Sequence, residues 1–534
     1  MNNQIKRRKF LKIQAGALGG LAVASALNSS VLRASTAAAQ SPTPTPTPTL
    51  SPVADHTGQC YTPVTNQLFD SLPIQCPGGV LAEGEMRISF LGTSPIPRRA
   101  QEGVSVYIEM GPTHLDPQTG LNVPLDYVMF DCGMGVLANY LAMNIPYSRM
   151  DKIFLAHLHA DHMSELTAIY AFGESSDRRS PLYVWGQSPS GVPDPVSGQL
   201  YDDGLKRTLE HFREWMRWHT ESFSFSSNSY KSFPIPTQES WGTPVPLVPI
   251  GPKYVTDAQG KPLGPAYADP YGKTPDGKGG EYATYDAYAL VPIELDWKKV
   301  GGIAYWNKST GVKVTHFPAI HTRKGALSYK LEWTPPGRSE TLSLIYSGDT
   351  KPNSIMLGQA QGVDVLIHEM VMPPDQWASH SLGVPVEQLT ARQIAYTKAI
   401  QNSSHTTQGA FGYMLSQMNP RPRLTVATHF QAQDDTIASA QKSLDAYKIP
   451  RDAYTFAADL MMLNVTKDKI TPSRADVSAF AFGAAPYTYP DPNVPKYHDA
   501  NGNSDPNAQI DNTDWIPYTG YPGLNQVTYN EDGY

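Results

Sequence analysis

His157-Leu158-His159-Ala160-Asp161-His162 sets four potential metal ligands within six residues. Imidazole nitrogen and carboxylate oxygen are donors that zinc-type ions favour, at about 2.0–2.2 Å. An alternating His-x-His in an extended turn aims two imidazoles the same way, and the Asp-His pair after it can turn toward a second ion. Crowding four such groups together without a metal carries a heavy desolvation cost. The cluster follows Ile153-Phe154-Leu155-Ala156, an apolar run short enough for a buried strand, and Met163 to Ala171 after it fits a helix. The ligands therefore belong to a strand-to-helix loop at a strand's carboxyl end, where α/β chains place their chemistry.

The surrounding texture repeats this plan. Strands are expected at 86–91, 104–110 and 127–130, the last ending at Asp131-Cys132-Gly133, with a short helix over 134–143. Another strand is expected at 181–185. A long insertion follows over about 188–310. Its first part has helical spacing (Leu205, Leu209, Phe212, Trp215, Met216, His219) and reads as core, with a substrate lip made from Trp215 or Trp218 as the alternative. The stretch 230–285 is rich in Pro, Gly and Tyr and reads as loops. Strands return near 312–314, 327–333 and 342–346, the last ending at Ser347-Gly348-Asp349. Further strands are expected at 363–367, ending at His368-Glu369, at 424–427, ending at Thr428-His429, and at 460–465. Residues 466–534 read as a loop-rich C-terminal tail.

The first 39 residues read as a targeting segment. Lys6-Arg7-Arg8-Lys9-Phe10-Leu11-Lys12 is a basic head with a twin-arginine pattern, an apolar Gly/Ala-rich stretch runs from Ile13 to Leu27, and Ala37-Ala38-Ala39 offers a small-residue cleavage site. That apolar stretch is too short to span a bilayer comfortably, so no stable membrane anchor is expected. The expectation is export to a periplasmic or extracellular space. Residues 40–85 then form a Pro/Thr-rich linker, stiff over QSPTPTPTPTLSP, and an irregular N-terminal segment.

Composition narrows the partners. The formal net charge is −7; removing residues 1–39 takes away six Lys/Arg and no Asp/Glu, leaving 36 basic against 49 acidic residues and a net −13. An acidic surface gives no electrostatic help in holding long nucleic acid, which argues against it as a partner. Apolar residues make up 40% of the chain, enough for a sizeable core, and 47 Pro with 42 Gly point to many loops. Of three cysteines, Cys132 lies in an apolar run and reads as a small buried residue. Cys60 and Cys76 lie close together where an exported chain could oxidise them; their pairing is left open.

With these motifs in hand, the sequence resembles the metallo-β-lactamase superfamily over most of 86–465. His157 to His162 meets the H-x-H-x-D-H motif. Phe90-Leu91-Gly92-Thr93, Ile367-His368-Glu369 and Ser404-His405-Thr406-Thr407 are similar to motifs of its ribonuclease Z and arylsulfatase-like branch, and Tyr346-Ser347-Gly348-Asp349-Thr350 to the segment carrying a bridging carboxylate. The resemblance implies an α/β chain, an αββα sandwich with a long insertion and a C-terminal extension. It implies two ions, zinc with iron or manganese as alternatives. His157, His159 and His321 would hold one, Asp161, His162 and His429 the other, and Asp349 would bridge them. Ser328-Tyr329-Lys330-Leu331-Glu332 follows at the family's spacing from His321, which favours it over His316, left with a supporting or structural role. Asp161, His405 and Glu369 are the implied catalytic group, with a hydroxide shared by the ions as nucleophile. His405 would donate a proton to the leaving group and Glu369 would hold its tautomer; the bland alternative has His405 capping a helix that begins near Thr406. His368 either orients a neighbour or caps its strand. His56, His114, His211, His219, His380 and His498 have no partner at ligand spacing. The implied substrate is a small phosphodiester or sulfate ester; a ribonuclease Z-like endoribonuclease acting on RNA 3′ ends and a lactonase-type hydrolase are the alternatives. The branch also allows a homodimer.

Overall fold

A computed structural model describes residues 65–481 apart from 118–119, 179, 217–218, 220–235, 251–257 and 260–288. The targeting segment, the Pro/Thr linker, Cys60, Trp218, most of 230–285 and the tail from 482 onward lie outside the described residues.

Two large sheets form the frame. The first has nine strands in the order Ile74–Gln75, Ile470–Ala475, Met461–Val465, Met86–Gly92, Ser105–Met110, Asp126–Phe130, Lys152–Phe154, Leu182–Gln187 and Leu290–Leu295. The second has seven, in the order Gly302–Asn307, Val312–Pro318, Leu327–Trp333, Leu342–Tyr346, Val365–Glu369, Leu424–Thr428 and Tyr454–Phe456. From Asp126–Phe130 to Leu290–Leu295 neighbouring strands pair in parallel, as they do from Leu342–Tyr346 to Tyr454–Phe456. Parallel strands need crossovers, and helices on the outer faces supply them.

The apolar pattern sorts into three layers of core. Between the sheets lie Phe130, Phe154, Trp185, Tyr305, Tyr329, Trp333 and Tyr346, all buried, with Phe154 and Trp185 stacked at 4.3 Å between ring centroids. Outside the first sheet, helices Val136–Ala142, Leu166–Ser175 and Leu205–Trp215 pack on a second cluster. Outside the second, helices Ser354–Ala360, Gln408–Ser416 and Asp434–Ala446 cover a third. The architecture is α/β with four layers, αββα.

Three expected boundaries move. The insertion ends sooner than 310, because Leu290–Leu295 closes one edge of the first sheet and Gly302–Asn307 opens one edge of the second. The tail does not begin at 466: Ile470–Ala475 pairs antiparallel with Met461–Val465. Nor is 40–85 wholly irregular, since Ile74–Gln75 adds in parallel to Ile470–Ala475. Ile74–Gln75, Leu290–Leu295 and Gly302–Asn307 are edge strands and Ile470–Ala475 lies next to one, and their sequences lack the continuous apolar run of a central parallel strand. On the helix Leu205–Trp215, Leu205, Leu209 and Phe212 are buried and Trp215 is 68% exposed, so the stripe is core and Trp215 stands off it. Cys132 is buried and Cys76 exposed, and the two form no disulfide among the described residues. Among the described residues no helix is long and apolar enough to cross a membrane.

Candidate metal centre

The carboxyl ends of the central strands of both sheets meet at one place. The Tyr329 hydroxyl donates to the Leu155 carbonyl (2.7 Å), and the Leu327 amide donates to the Ala156 carbonyl (2.8 Å), so the histidine loop of the first sheet is tied to the second. His157 follows directly, and His159 caps the short helix Ala160–Met163 that carries Asp161 and His162. That helix is anchored from behind: the Val104 amide donates to the Asp161 carbonyl (2.9 Å) and the Cys132 amide to the His162 carbonyl (2.7 Å).

One group of donors is His157, His159 and His321. His157 Nε2 and His159 Nδ1 lie 2.9 Å apart, and His159 Nδ1 and His321 Nε2 lie 3.2 Å apart. Two ligand atoms at tetrahedral angles around one zinc-type ion stand about 3.3 Å apart, so the spacing fits a shared ion. His321 Nδ1 donates to the Ser404 carbonyl (2.9 Å), which leaves Nε2 with its lone pair facing the cluster. Burial, then the neighbouring imidazoles, holds His157 well below the usual histidine range, and burial brings His321 down to about 4. These are neutral imidazoles, the form that ligates.

The second group is Asp161, His162, Asp349 and His429. His162 Nε2 stands 3.4 Å from Asp161 Oδ2 and 3.3 Å from Asp349 Oδ1; His429 Nε2 stands 3.2 Å from each of the same two oxygens. The two carboxyl oxygens of Asp349 face different groups: Oδ2 is 3.9 Å from His157 Nε2 and 3.8 Å from His321 Nε2. Among the described residues, His162 Nε2 and Asp349 Oδ1 are buried without a hydrogen-bond partner. Buried polar atoms left without one are costly. A cation between them removes that cost, so the residues present fit two ions. Burial opposes ionisation of Asp349, but His429 and His162 beside it hold its carboxyl well below the usual range.

The supporting contacts include one residue whose role was not read from the sequence. Asp131, buried at the end of Asp126–Phe130, accepts from His162 Nδ1 (2.7 Å), from the Ala156 amide (2.7 Å) and from the Tyr346 hydroxyl. It fixes the ring of His162 and ties it to both sheets. Its signal was an ionisable residue closing an apolar strand, noted as part of Asp131-Cys132-Gly133 and not as a partner of His162.

His405 ends the helix Ala391–Ser404, and its Nδ1 donates to Glu369 Oε2 (2.8 Å). Burial alone would lower this histidine, but the Glu369 carboxylate raises it to about 9. Glu369 Oε1 in turn accepts from the Thr350 amide. The following helix, Gln408–Ser416, is capped by Thr407, whose hydroxyl accepts from the Ala410 amide, so His405 is not its cap. His368 points its Nδ1 at the Glu369 carbonyl (2.7 Å) and belongs to no ligand group. His316 lies inside Val312–Pro318 against Gly302, outside every ligand group among the described residues.

Two layered sheets, helices on both outer faces and ligand loops where the strand ends converge settle the fold. It is the αββα sandwich that the sequence resemblance implies. No family model matches the chain. Among curated proteins it is similar to ribonuclease BN of Escherichia coli O7:K1 (strain IAI39 / ExPEC), 29% identical over 153 residues, which is 24% of this chain and 46% of that protein. Ribonuclease BN of Escherichia coli O1:K1 / APEC is 28% identical over 149 residues, again 24% of this chain and 45% of the relative. The chain thus spans about half the length of the curated relatives it matches. Among solved structures it is similar to the metallo-β-lactamase fold protein YhfI from Bacillus subtilis (TM-score 0.39, 11% identity, 71% of this chain and 100% of that one). It is also similar to a long form RNase Z from yeast (TM-score 0.38, 18% identity, 73% of this chain and 42% of that one). The fold assignment rests on strand order and ligand placement.

Proposed function

We propose that the chain is an exported, metal-dependent hydrolase that holds two ions and cleaves a small phosphodiester or sulfate ester. One observation carries the reading: two donor groups lie side by side, His157, His159 and His321 in one and Asp161, His162, Asp349 and His429 in the other, with Asp349 Oδ2 3.8 Å from His321 Nε2 and buried atoms of His162 and Asp349 left without hydrogen-bond partners. His157, His159 and His321 would hold the first ion and Asp161, His162 and His429 the second, with Asp349 between the two sets; zinc suits this nitrogen and oxygen set, with iron or manganese as alternatives. When bound, two such ions supply an activated water and offset charge on the reacting ester. The chain's own residues do the rest. Asp131 and the Ser404 carbonyl orient the ligating rings. Glu369 holds His405 through Nδ1 and favours its charged form, whose Nε2–H would protonate a departing oxygen.

A ribonuclease reading is favoured by one specific observation, the similarity to ribonuclease BN. The acidic mature chain counts the other way. Aryl phosphodiesters, aryl sulfates, lactones and a precursor tRNA offered side by side to the purified chain separate the readings; turnover of the tRNA alone overturns ours. Metal content tests the site itself. Native mass spectrometry should find two ions per chain, Asp349→Ala should lose at least one together with activity, and His316→Ala should keep both. Loss of metal from His316→Ala but not from His321→Ala would show that the ligand set is wrong.

A further inference from the structure

His429 stands on backbone that few residues tolerate. Its φ is +63°, in the left-handed region, directly after the last residue of Leu424–Thr428. A non-glycine residue stays there only when its surroundings over-determine it. The strand's own ladder ends at Thr428, so something else must hold the segment after it.

Gln101 does so. It comes from the loop between Met86–Gly92 and Ser105–Met110, is 2% exposed, and lies far from the His429 segment in sequence. Its carboxamide pairs with main chain as a neighbouring strand would: Nε2 donates to the Phe430 carbonyl (3.1 Å), and Oε1 accepts from the Ala432 amide (3.0 Å). The rest of the amide is also used. Nε2 donates to Thr93 Oγ1 (2.7 Å), whose hydroxyl donates to Asp459 (2.7 Å), and Oε1 accepts from Arg98 Nε (3.0 Å). Arg98 reaches the same segment, donating to Gln433 Oε1 (2.8 Å) and to the Ala432 carbonyl (3.4 Å). We infer that Gln101 is a positioning residue for the second ion: it clamps residues 430–432 and thereby fixes His429 Nε2 opposite Asp161 and Asp349. The carboxamide donates and accepts side by side from one planar group, which neither an apolar residue nor a carboxylate does.

The inference rests on the two-ion reading for its consequence but not for its geometry, so the test has two arms. In metal-free protein, hydrogen exchange at 430–433 should quicken in Gln101→Met, which keeps volume and removes the amide, and quicken less in Gln101→Glu, which keeps the acceptor and loses the donor. In titrations with zinc against a chelator, one of the two ions should weaken about 10–100-fold in Gln101→Met, the size typical of an outer partner of a ligand, while the other is unchanged. Gln101→Glu should fall between. Unchanged exchange, or equal weakening of both ions as a general loss of structure would give, overturns the clamp. Fewer than two ions in the unaltered protein overturns the two-ion reading instead, and the exchange arm then still decides the clamp.

Discussion

His405 and Glu369 show how one contact assigns atoms to a task. The Glu369 carboxylate favours the doubly protonated ring, and because its Nδ1–H is committed to Glu369, the proton available to a leaving group is the one on Nε2. His405→Ala should therefore slow an alkyl ester by roughly 10²–10⁴-fold and a nitrophenyl ester far less, since nitrophenolate departs without help. Metal content should not change. Equal slowing of both esters, or lost metal, would exclude the donor role. At this scale the sequence was most readable where chemistry is dense: four donors in six residues need no tertiary information to be noticed. His321, Asp349 and His429 were found through a family pattern, because each is a lone polar residue after a strand and nothing local separates it from His316 or His368. Asp131 and Gln101 were not recognised as supports. Their partners lie in other segments, and no spacing along the chain encodes such a contact.

Among the elements, the turn at Ser347-Gly348-Asp349 is tightly constrained where the two ligand loops meet. Gly348 has φ +55°, and a Cβ placed there would stand 2.4 Å from the Cβ of Ala156, the residue before His157. Glycine is needed both for the backbone and for the approach of the two ligand loops. Gly348→Ala should cost about 1–3 kcal/mol by chemical denaturation and should lower metal occupancy, because either loop must retreat. Unchanged stability would mean that the loops approach less closely than the geometry gives. Central strands such as Val365–Glu369 and Leu424–Thr428 were legible because strands covered on both faces read as continuous apolar runs. The strands at or next to the edges were not. Leu290–Leu295, Gly302–Asn307 and Ile470–Ala475 lie in or next to Pro- and Gly-rich stretches, and only pairing makes them strands. The buried stripe of Leu205–Trp215 was legible from its period, which also set Trp215 wrongly among the core positions.

For the whole molecule, the proposed route out of the cytoplasm turns on the head of the chain. Arg7→Lys combined with Arg8→Lys should leave the precursor inside the cell, read by fractionation; an unaltered distribution would count against the twin-arginine route. A chain that crosses folded must already be closed when it leaves, and the centre bears on that closure. His157, His159, Asp161 and His162 hang from the first sheet, while His321, Asp349 and His429 hang from the second. Under the two-ion reading each ion is therefore a clasp between two halves of the sandwich, and free metal becomes a variable of folding. A clasp present at a thousand times its dissociation constant adds about 4 kcal/mol to the closed form. Chelation would then do more than stop turnover: it would let the halves part, and the melting temperature would follow the metal concentration of whichever compartment the chain occupies.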